Sequence, residues 1–178
     1  DFMLLMLNDL LDVGQASQVG LKTEITVVDL NIIFEKIKKL FAGRSRSLNV
    51  ELVTRVAANC KTVRTDQNLI YRVCANLIAN AMKASTQGGK VELEVIRHED
   101  KFRIMVLDNG HGVPDSEKLK IFEKYETTRR KEATLETGTG IGLAFCRAAA
   151  KALNGRIWVE DREGGGSRFI LETPGTIG

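Results

Sequence analysis

At 178 residues, 43% of them hydrophobic and 28% charged, the chain has the composition of one folded domain with a single core, which excludes disordered, collagen-like and low-complexity classes. A net charge of +3 without a dense Lys/Arg run gives no ground for nucleic-acid binding, and the longest apolar run, Phe2 to Leu7, is far short of the roughly 20 residues of a membrane span. Cys60, Cys74 and Cys146 are too scattered for a disulfide framework or a zinc cluster and read as buried free thiols in a reducing compartment.

Residues 2 to 13 place Met3, Met6, Leu7, Leu10 and Val13 at three- and four-residue spacings, which predicts a helix. Phe2, Leu4, Leu5 and Leu11 widen its apolar stripe, so it needs partners on several sides: the domain behind it or, as the favoured reading, other members of a helix bundle. A start in mid-pattern suggests a piece of a longer protein. Glu24 to Val28 reads as extended, and Asp29 as the N-cap of a helix over roughly 30–42 that Gly43 ends. Leu48, Val50 and Leu52 alternate with polar residues and predict a strand, and Lys61 to Arg64 predicts a second short one. Asp66 caps the next helix, which runs to about Ser85 before Gly88 and Gly89.

Val91, Leu93 and Val95, then Phe102, Ile104 and Val106, alternate on either side of a turn at His98 to Lys101, the pattern of a hairpin. Pro114 to Phe122 reads as a short helix, Glu126 to Thr137 as a polar mobile loop, and Ile141 to Leu153 as a helix. Arg156 to Glu160, with Trp158 in the core, and Arg168 to Thr173 are strands on either side of the turn at Gly164, Gly165 and Gly166. The tally predicts an α+β fold, with about three helices on one face of a mixed, mainly antiparallel sheet, preceded by a bundle helix.

Three stretches have the residue types for nucleotide chemistry. On the helix after Asp66, Arg72, Asn80 and Lys83 fall within about 40° of Asn76, while Ile70, Val73, Cys74, Leu77, Ile78 and Ala81 form the core side. Asn76 to Lys83 spans roughly 10 Å, the size of a triphosphate with its metal; carboxamide oxygens suit Mg²⁺ and an ammonium suits phosphate. An ordinary solvated face fits that pattern equally well. Asp108 at a strand end, followed by Gly110 and Gly112, can accept a hydrogen bond from an exocyclic amine such as adenine N6, although a plain Asp-Asn-Gly turn is the commoner meaning. Gly138-Thr139-Gly140-Ile141-Gly142-Leu143 leads into a helix whose N-terminal amides suit phosphate, yet no strand precedes it as a dinucleotide fingerprint requires. His98 and His111 have no positioned partner and read as exposed.

Taken in order, Asn76-Leu-Ile-Ala-Asn80-Ala-Met-Lys83, Asp108-Asn-Gly-His-Gly112, Ile121-Phe122-Glu123-Lys124-Tyr125 and Gly138 to Leu143 resemble the N, G1, F and G2 boxes of sensor histidine kinases. Gly164 to Phe169 is similar to their last glycine motif, and Leu7-Asn-Asp-Leu-Leu-Asp12 to the end of the second helix of their dimerisation domain. The resemblance implies a two-layer, Bergerat-type ATP-binding sandwich over residues 23–178, preceded over 1–22 by the end of the dimerisation helix and a linker. It assigns Asn76 and Asn80 to catalysis, Asn80 to Mg²⁺ and Lys83 to phosphate. Asp108, with Gly110, Gly112 and Val113, would hold adenine, and Gly138, Thr139, Gly140, Ile141, Gly142 and Leu143 would wrap the phosphates of ATP. The 126–137 loop would be a lid, with Arg129, Arg130 or Lys131 reaching phosphate.

In related ATPases such as gyrase and the heat-shock chaperones, a glutamate stands where Asn76 does. An amide cannot activate water, so the γ-phosphoryl is kept for a histidine. That histidine would lie upstream of Asp1, so the chain is expected to bind Mg-ATP without phosphorylating itself. Ala84 and Lys124-Tyr125 depart from the family pattern, which often has an aromatic at the first position and Pro-Phe at the second. The resemblance also implies a homodimeric full-length protein, a response-regulator receiver domain as partner, and a cytoplasmic position for this portion. The alternatives are a serine kinase of the anti-sigma type and a degenerate module docking on another kinase.

Overall fold

The structure, a computed structural model, describes residues 2–16, 20–85, 87–123 and 140–175. Helix α1 (Phe2–Ala16) is followed by strand β1 (Thr26–Asp29), helix α2 (Leu30–Leu48), strands β2 (Glu51–Val56) and β3 (Thr62–Thr65), and helix α3 (Gln67–Ala84). The hairpin β4 (Lys90–His98) and β5 (Lys101–Leu107), helix α4 (Gly142–Ala152), and strands β6 (Arg156–Asp161) and β7 (Ser167–Pro174) complete the fold. The main sheet has the order β2-β4-β5-β7-β6, and β1 and β3 form a separate antiparallel ribbon. Among the described strands only β2 and β4 run parallel, with α3 in the long connection such a pair needs. Among the described residues no helix is long and apolar enough to cross a membrane.

Period-two alternation decides which face of the sheet receives the helices. Leu93 pairs with Val106, Val106 with Phe169 and Phe169 with Val159, so one row of buried side chains crosses four strands beneath α3 and α4. Phe34, Phe102 and Phe145 are the largest fully buried residues, each contributing roughly 2–3 kcal/mol by leaving water. All three cysteines are buried and free.

The opposite face carries a charge lattice instead. Glu172 is buried there under Arg103 at 2.7 Å and Arg156 at 3.1 Å, with Lys101 and His98 each at 3.5 Å. Burial alone would raise the pKa of Glu172, but hydrogen bonds from Arg103 and Arg156 and the charges of both outweigh it and hold the carboxyl at about 2. Trp158, expected in the core, lies on this outer face between the guanidinium groups of Arg156 and Arg103, because Val159 is the residue of β6 that turns inward. His98 is accordingly half-buried beside Glu172 rather than exposed, whereas His111 is exposed.

Three expected boundaries are corrected. Gly43 does not end α2: its cost of about 1 kcal/mol against Ala is outweighed by the buried stripe Leu30, Ile33, Phe34, Ile37 and Phe41. The helix stops where Asn49 turns left-handed at φ 50° and Val50 N–H donates to Ser45 O at 3.0 Å, so Leu48 is helical and the strand begins at Glu51. Pro114 to Phe122 is a series of turns ending in a single 3₁₀ turn at Lys120–Phe122. Only Ile121 and Phe122 bury apolar surface, and Leu119 is 86% exposed, so no stripe exists to hold a longer helix.

Helix α1 packs on the domain that follows it. The helix docks on α4, with Asp9 buried at that contact, while Leu4, Leu7, Leu10 and Leu11 remain exposed. One side of α1 serves this domain and another is left uncovered.

Candidate functional site

Helix α3 is anchored by Asp66, whose Oδ1 accepts from Asn68 N–H and Leu69 N–H, both at 2.9 Å, and whose Oδ2 accepts from Glu24 N–H at 2.8 Å. That cap fixes the register from which Arg72, Asn76, Asn80 and Lys83 project. The shared face is not uniformly open. Arg72 and Asn76 are buried beneath α1, Asn80 is half-buried and Lys83 is exposed. The four do share one side of α3, but burial of the first two comes from a helix over 60 residues upstream in sequence.

Asp9 of α1 holds both buried residues. Its Oδ1 accepts from Arg72 Nε at 2.7 Å and its Oδ2 from Asn76 Nδ2 at 2.6 Å. Arg72 also pairs with Asp12 at 2.7 Å, and its guanidinium lies 4.1 Å from the centre of the Phe145 ring on α4. Burial raises the Asp9 carboxyl pKa, opposed by the hydrogen bonds from Asn76 and Arg72. On the far side of Asn76 lies Gly142, the first residue of α4. A Cβ there would stand 2.7 Å from Asn76 Oδ1, so α3 and α4 approach this closely only because position 142 has no side chain.

Asp108 ends up at the bottom of the second half of the site. Leu107 closes β5, and Asp108 N–H donates to Ser167 O at 3.0 Å, so the chain leaves the sheet edge with its carboxyl turned inward. Oδ1 accepts from Gly110 N–H at 2.8 Å and Ser167 N–H at 3.3 Å. Oδ2 is buried with no hydrogen-bond partner among the described residues. Burial raises the pKa of this carboxyl, with the two backbone N–H groups pulling the other way. An acceptor buried and unpaired in this way costs about 1–3 kcal/mol unless a ligand satisfies it.

The glycines around Asp108 are explained by contact. A Cβ at Gly110 would come within 2.6 Å of Ala84 O, and Gly166, at φ +97°, packs directly on the Asp108 carbonyl. Ala84 therefore closes the end of α3 against this loop. Gly112, at φ +75°, occupies a left-handed position, and Val113 beside it is half-buried against the core. At the entry to α4, Gly140 has φ +65°, Ile141 is buried and Leu143 is half-buried. Ile141, the N-cap residue of α4, makes no side-chain cap, so the first amides of the helix depend on other acceptors. Gly138, Thr139, Lys124, Tyr125, the 126–137 loop and its cations Arg129, Arg130 and Lys131 lie outside the described residues.

Two features were not legible in the sequence. Asp9 sits among leucines, and its only local sign is a carboxylate interrupting an apolar stripe. Arg162 bridges Glu92 at 2.6 Å and Asn109 Oδ1 at 3.3 Å, bracing the loop after Asp108 from the β6–β7 hairpin, with no local signal. Two shallow concavities of about 350 and 390 Å³, beside α2 and the start of β2, share no residue with the candidate site.

A family model described as histidine kinase-, DNA gyrase B-, and HSP90-like ATPase matches residues 65–177. The chain belongs to that family. Within it, the chain is similar to the alginate biosynthesis sensor protein KinB of Pseudomonas aeruginosa, at 31% identity over 172 residues, covering 97% of this chain and 28% of KinB. Full-length ShkA in complex with AMPPNP matches with a TM-score of 0.85 at 25% identity, over 99% of this chain and 36% of that one. Histidine kinase ThkA in complex with response regulator protein TrrA matches with a TM-score of 0.76 at 27% identity, over 95% and 47%. The chain spans less than half the length of the curated relatives it matches. Its sheet and one-sided helix layer are those of histidine kinase ATPase domains.

Proposed function

We propose that residues 23–178 are the catalytic ATP-binding domain of a cytoplasmic portion of a sensor histidine kinase, and residues 1–22 the end of its dimerisation helix with a linker. The observation that carries this reading is the buried Oδ2 of Asp108, which has no hydrogen-bond partner among the described residues and is satisfied by a donor such as the amine of a ligand. Adenine N6 is a donor and fits; the carbonyl of guanine at that position is repelled. Gly110 and Gly112 let the loop fold tightly against Ala84 and Gly166, which sets the Asp108 carboxyl where the base would lie, beside Val113.

The phosphates of ATP then lie between α3 and the start of α4. The first amides and the dipole of α4 favour negative charge there, with Gly138 to Leu143 proposed to wrap the phosphates and the exposed Lys83 to meet them. The donor set on α3, amide oxygens of Asn76 and Asn80 rather than thiolates or imidazoles, suits a hard cation, and Asn80 is the residue we assign to Mg²⁺. Bound there, Mg²⁺ would supply positive charge to offset that of the phosphates during transfer. Asn76 supplies no base for water, so the site keeps the γ-phosphoryl for an incoming imidazole, whose neutral nitrogen needs positioning rather than activation.

The nucleophile is proposed to be a histidine on the dimerisation domain, with relay to a response-regulator aspartate, in keeping with ThkA crystallised with TrrA. The uncovered leucines of α1 support a homodimeric full-length protein. The test is to mix the chain with a separately made helix pair carrying that histidine and Mg-ATP, then assay acid-labile phosphate. Label is expected on the helix pair and not on the chain, and Asp108→Ala should abolish it. Stable phosphohistidine on the isolated chain would defeat this reading.

A further inference from the structure

Asn76 is gripped from outside the ATPase sandwich. Asp9 is 1% exposed although it sits on α1, and it is bound on one side by Arg72, with Nη2 at 2.5 Å and Nε at 2.7 Å, and on the other by Asn76 Nδ2 at 2.6 Å. Arg72 is itself fixed by Asp12 and by stacking on Phe145 of α4. The elements in contact are α1, α3 and α4, and the carboxylate lies at their junction.

The arrangement decides which end of a symmetric-looking group faces the site. A carboxylate paired with a guanidinium offers only acceptors, so the Asn76 amide must turn its NH₂ toward Asp9. Its carbonyl oxygen is then at the Gly142 side, where the missing side chain makes room for it. An amide oxygen is a ligand for a hard cation and an NH₂ is repelled by it. Without Asp9 the terminal torsion of an asparagine is broad and two-fold, and both orientations are populated.

We propose that Asp9, held by Arg72, is a positioning residue that presets Asn76 with its oxygen facing the cation that accompanies a bound nucleotide, so that docking of α1 completes the Mg-nucleotide site. This rests on the nucleotide reading given above. Movement of α1 thereby changes metal-dependent binding without touching the adenine end.

The test is calorimetry of ATP binding to the full 178-residue chain, once with Mg²⁺ and once with EDTA, for wild type, Asp9→Ala, Asp9→Asn, Asp9→Glu and Asp108→Ala. Removing Asp9 should weaken binding in Mg²⁺ by about fivefold, the net size of one hydrogen bond, and leave binding in EDTA unchanged. Asp9→Asn keeps the packing volume but carries both an NH₂ donor and a carbonyl acceptor, so it can pair with either orientation of the Asn76 amide. It should behave like Asp9→Ala and decides the matter should the alanine variant unfold. Asp9→Glu, which restores the acceptor, should recover part of the loss. Equal loss in Mg²⁺ and EDTA would make Asp9 merely structural and overturn the proposal. Tighter Mg-ATP binding by Asp9→Ala would also overturn it, making the contact a latch that keeps Asn76 from the nucleotide. Failure of the nucleotide reading is separable: wild type would then bind no ATP, or Asp108→Ala would bind as well as wild type.

Discussion

Asp108 and Gly142 show how much single positions decide. Because burial raises the Asp108 pKa, its ionised form is the costly one in the folded protein, and its contribution to stability falls as pH rises above the ordinary Asp value near 4. The ionised form is also the one that reads an amine, so ATP affinity should drop on acidification earlier than an exposed aspartate would dictate. Calorimetry from about pH 7 to about pH 5 should show a slope that Asp108→Asn lacks; parallel profiles for the two proteins would refute this. At Gly142 an alanine is favoured by helix propensity by up to about 1 kcal/mol. Its Cβ, however, would stand 2.7 Å from an Asn76 oxygen that Asp9 prevents from retreating. Gly142→Ala should therefore cost about 1–3 kcal/mol of stability by overpacking the α3–α4 contact, and weaken Mg-ATP binding several-fold. The glycines were visible in the sequence, but the atom each one makes room for was not.

Caps and alternation made most elements readable. Asp29 and Asp66 announce α2 and α3 because a carboxylate before an apolar-periodic run can serve the orphan N–H groups. Asp66 does more than cap, since its second oxygen also holds Glu24 N–H, and Asp66→Ala should cost about 1–2 kcal/mol by urea denaturation. A change below about 0.3 kcal/mol would show that water replaces the cap. On the sheet, alternation predicts two faces but not that the outer one buries a carboxylate. Glu172 titrates at about 2 against an ordinary value near 4.5, so its stabilising effect is fully present above about pH 4.5 and is lost as pH falls toward 2. The shift corresponds to at most about 3 kcal/mol, less where water screens the exposed Arg156. Glu172→Gln should flatten the acid limb of stability against pH, and an acid limb as steep as that of wild type would count against the lattice. Element ends were less legible than element types. Gly43 looked like a stop but lies on a helix held by buried residues on its other side, which propensity cannot see.

At the scale of the molecule, α1 is the part whose meaning changed most. Its leucines suggest a bundle, and Leu4, Leu7 and Leu11 do remain uncovered, yet the same helix delivers Asp9 to Arg72 and Asn76 on α3. Replacing those three leucines by glutamine should leave the thermal midpoint nearly unchanged, because they bury little, while lowering any concentration-dependent association seen by sedimentation. A large drop in midpoint would mean the face is covered after all. The sequence by itself determined the fold class, the order of the elements and the residue types gathered for nucleotide chemistry. Those follow from periodicity, caps and short motifs, which are local along the chain. Only the tertiary structure decided that Arg72 and Asn76 are buried, which way the Asn76 amide faces, and that Arg162 braces the loop after Asp108. Each of these depends on a partner more than 50 residues away, and a hydrogen bond across that separation leaves no trace in local spacing.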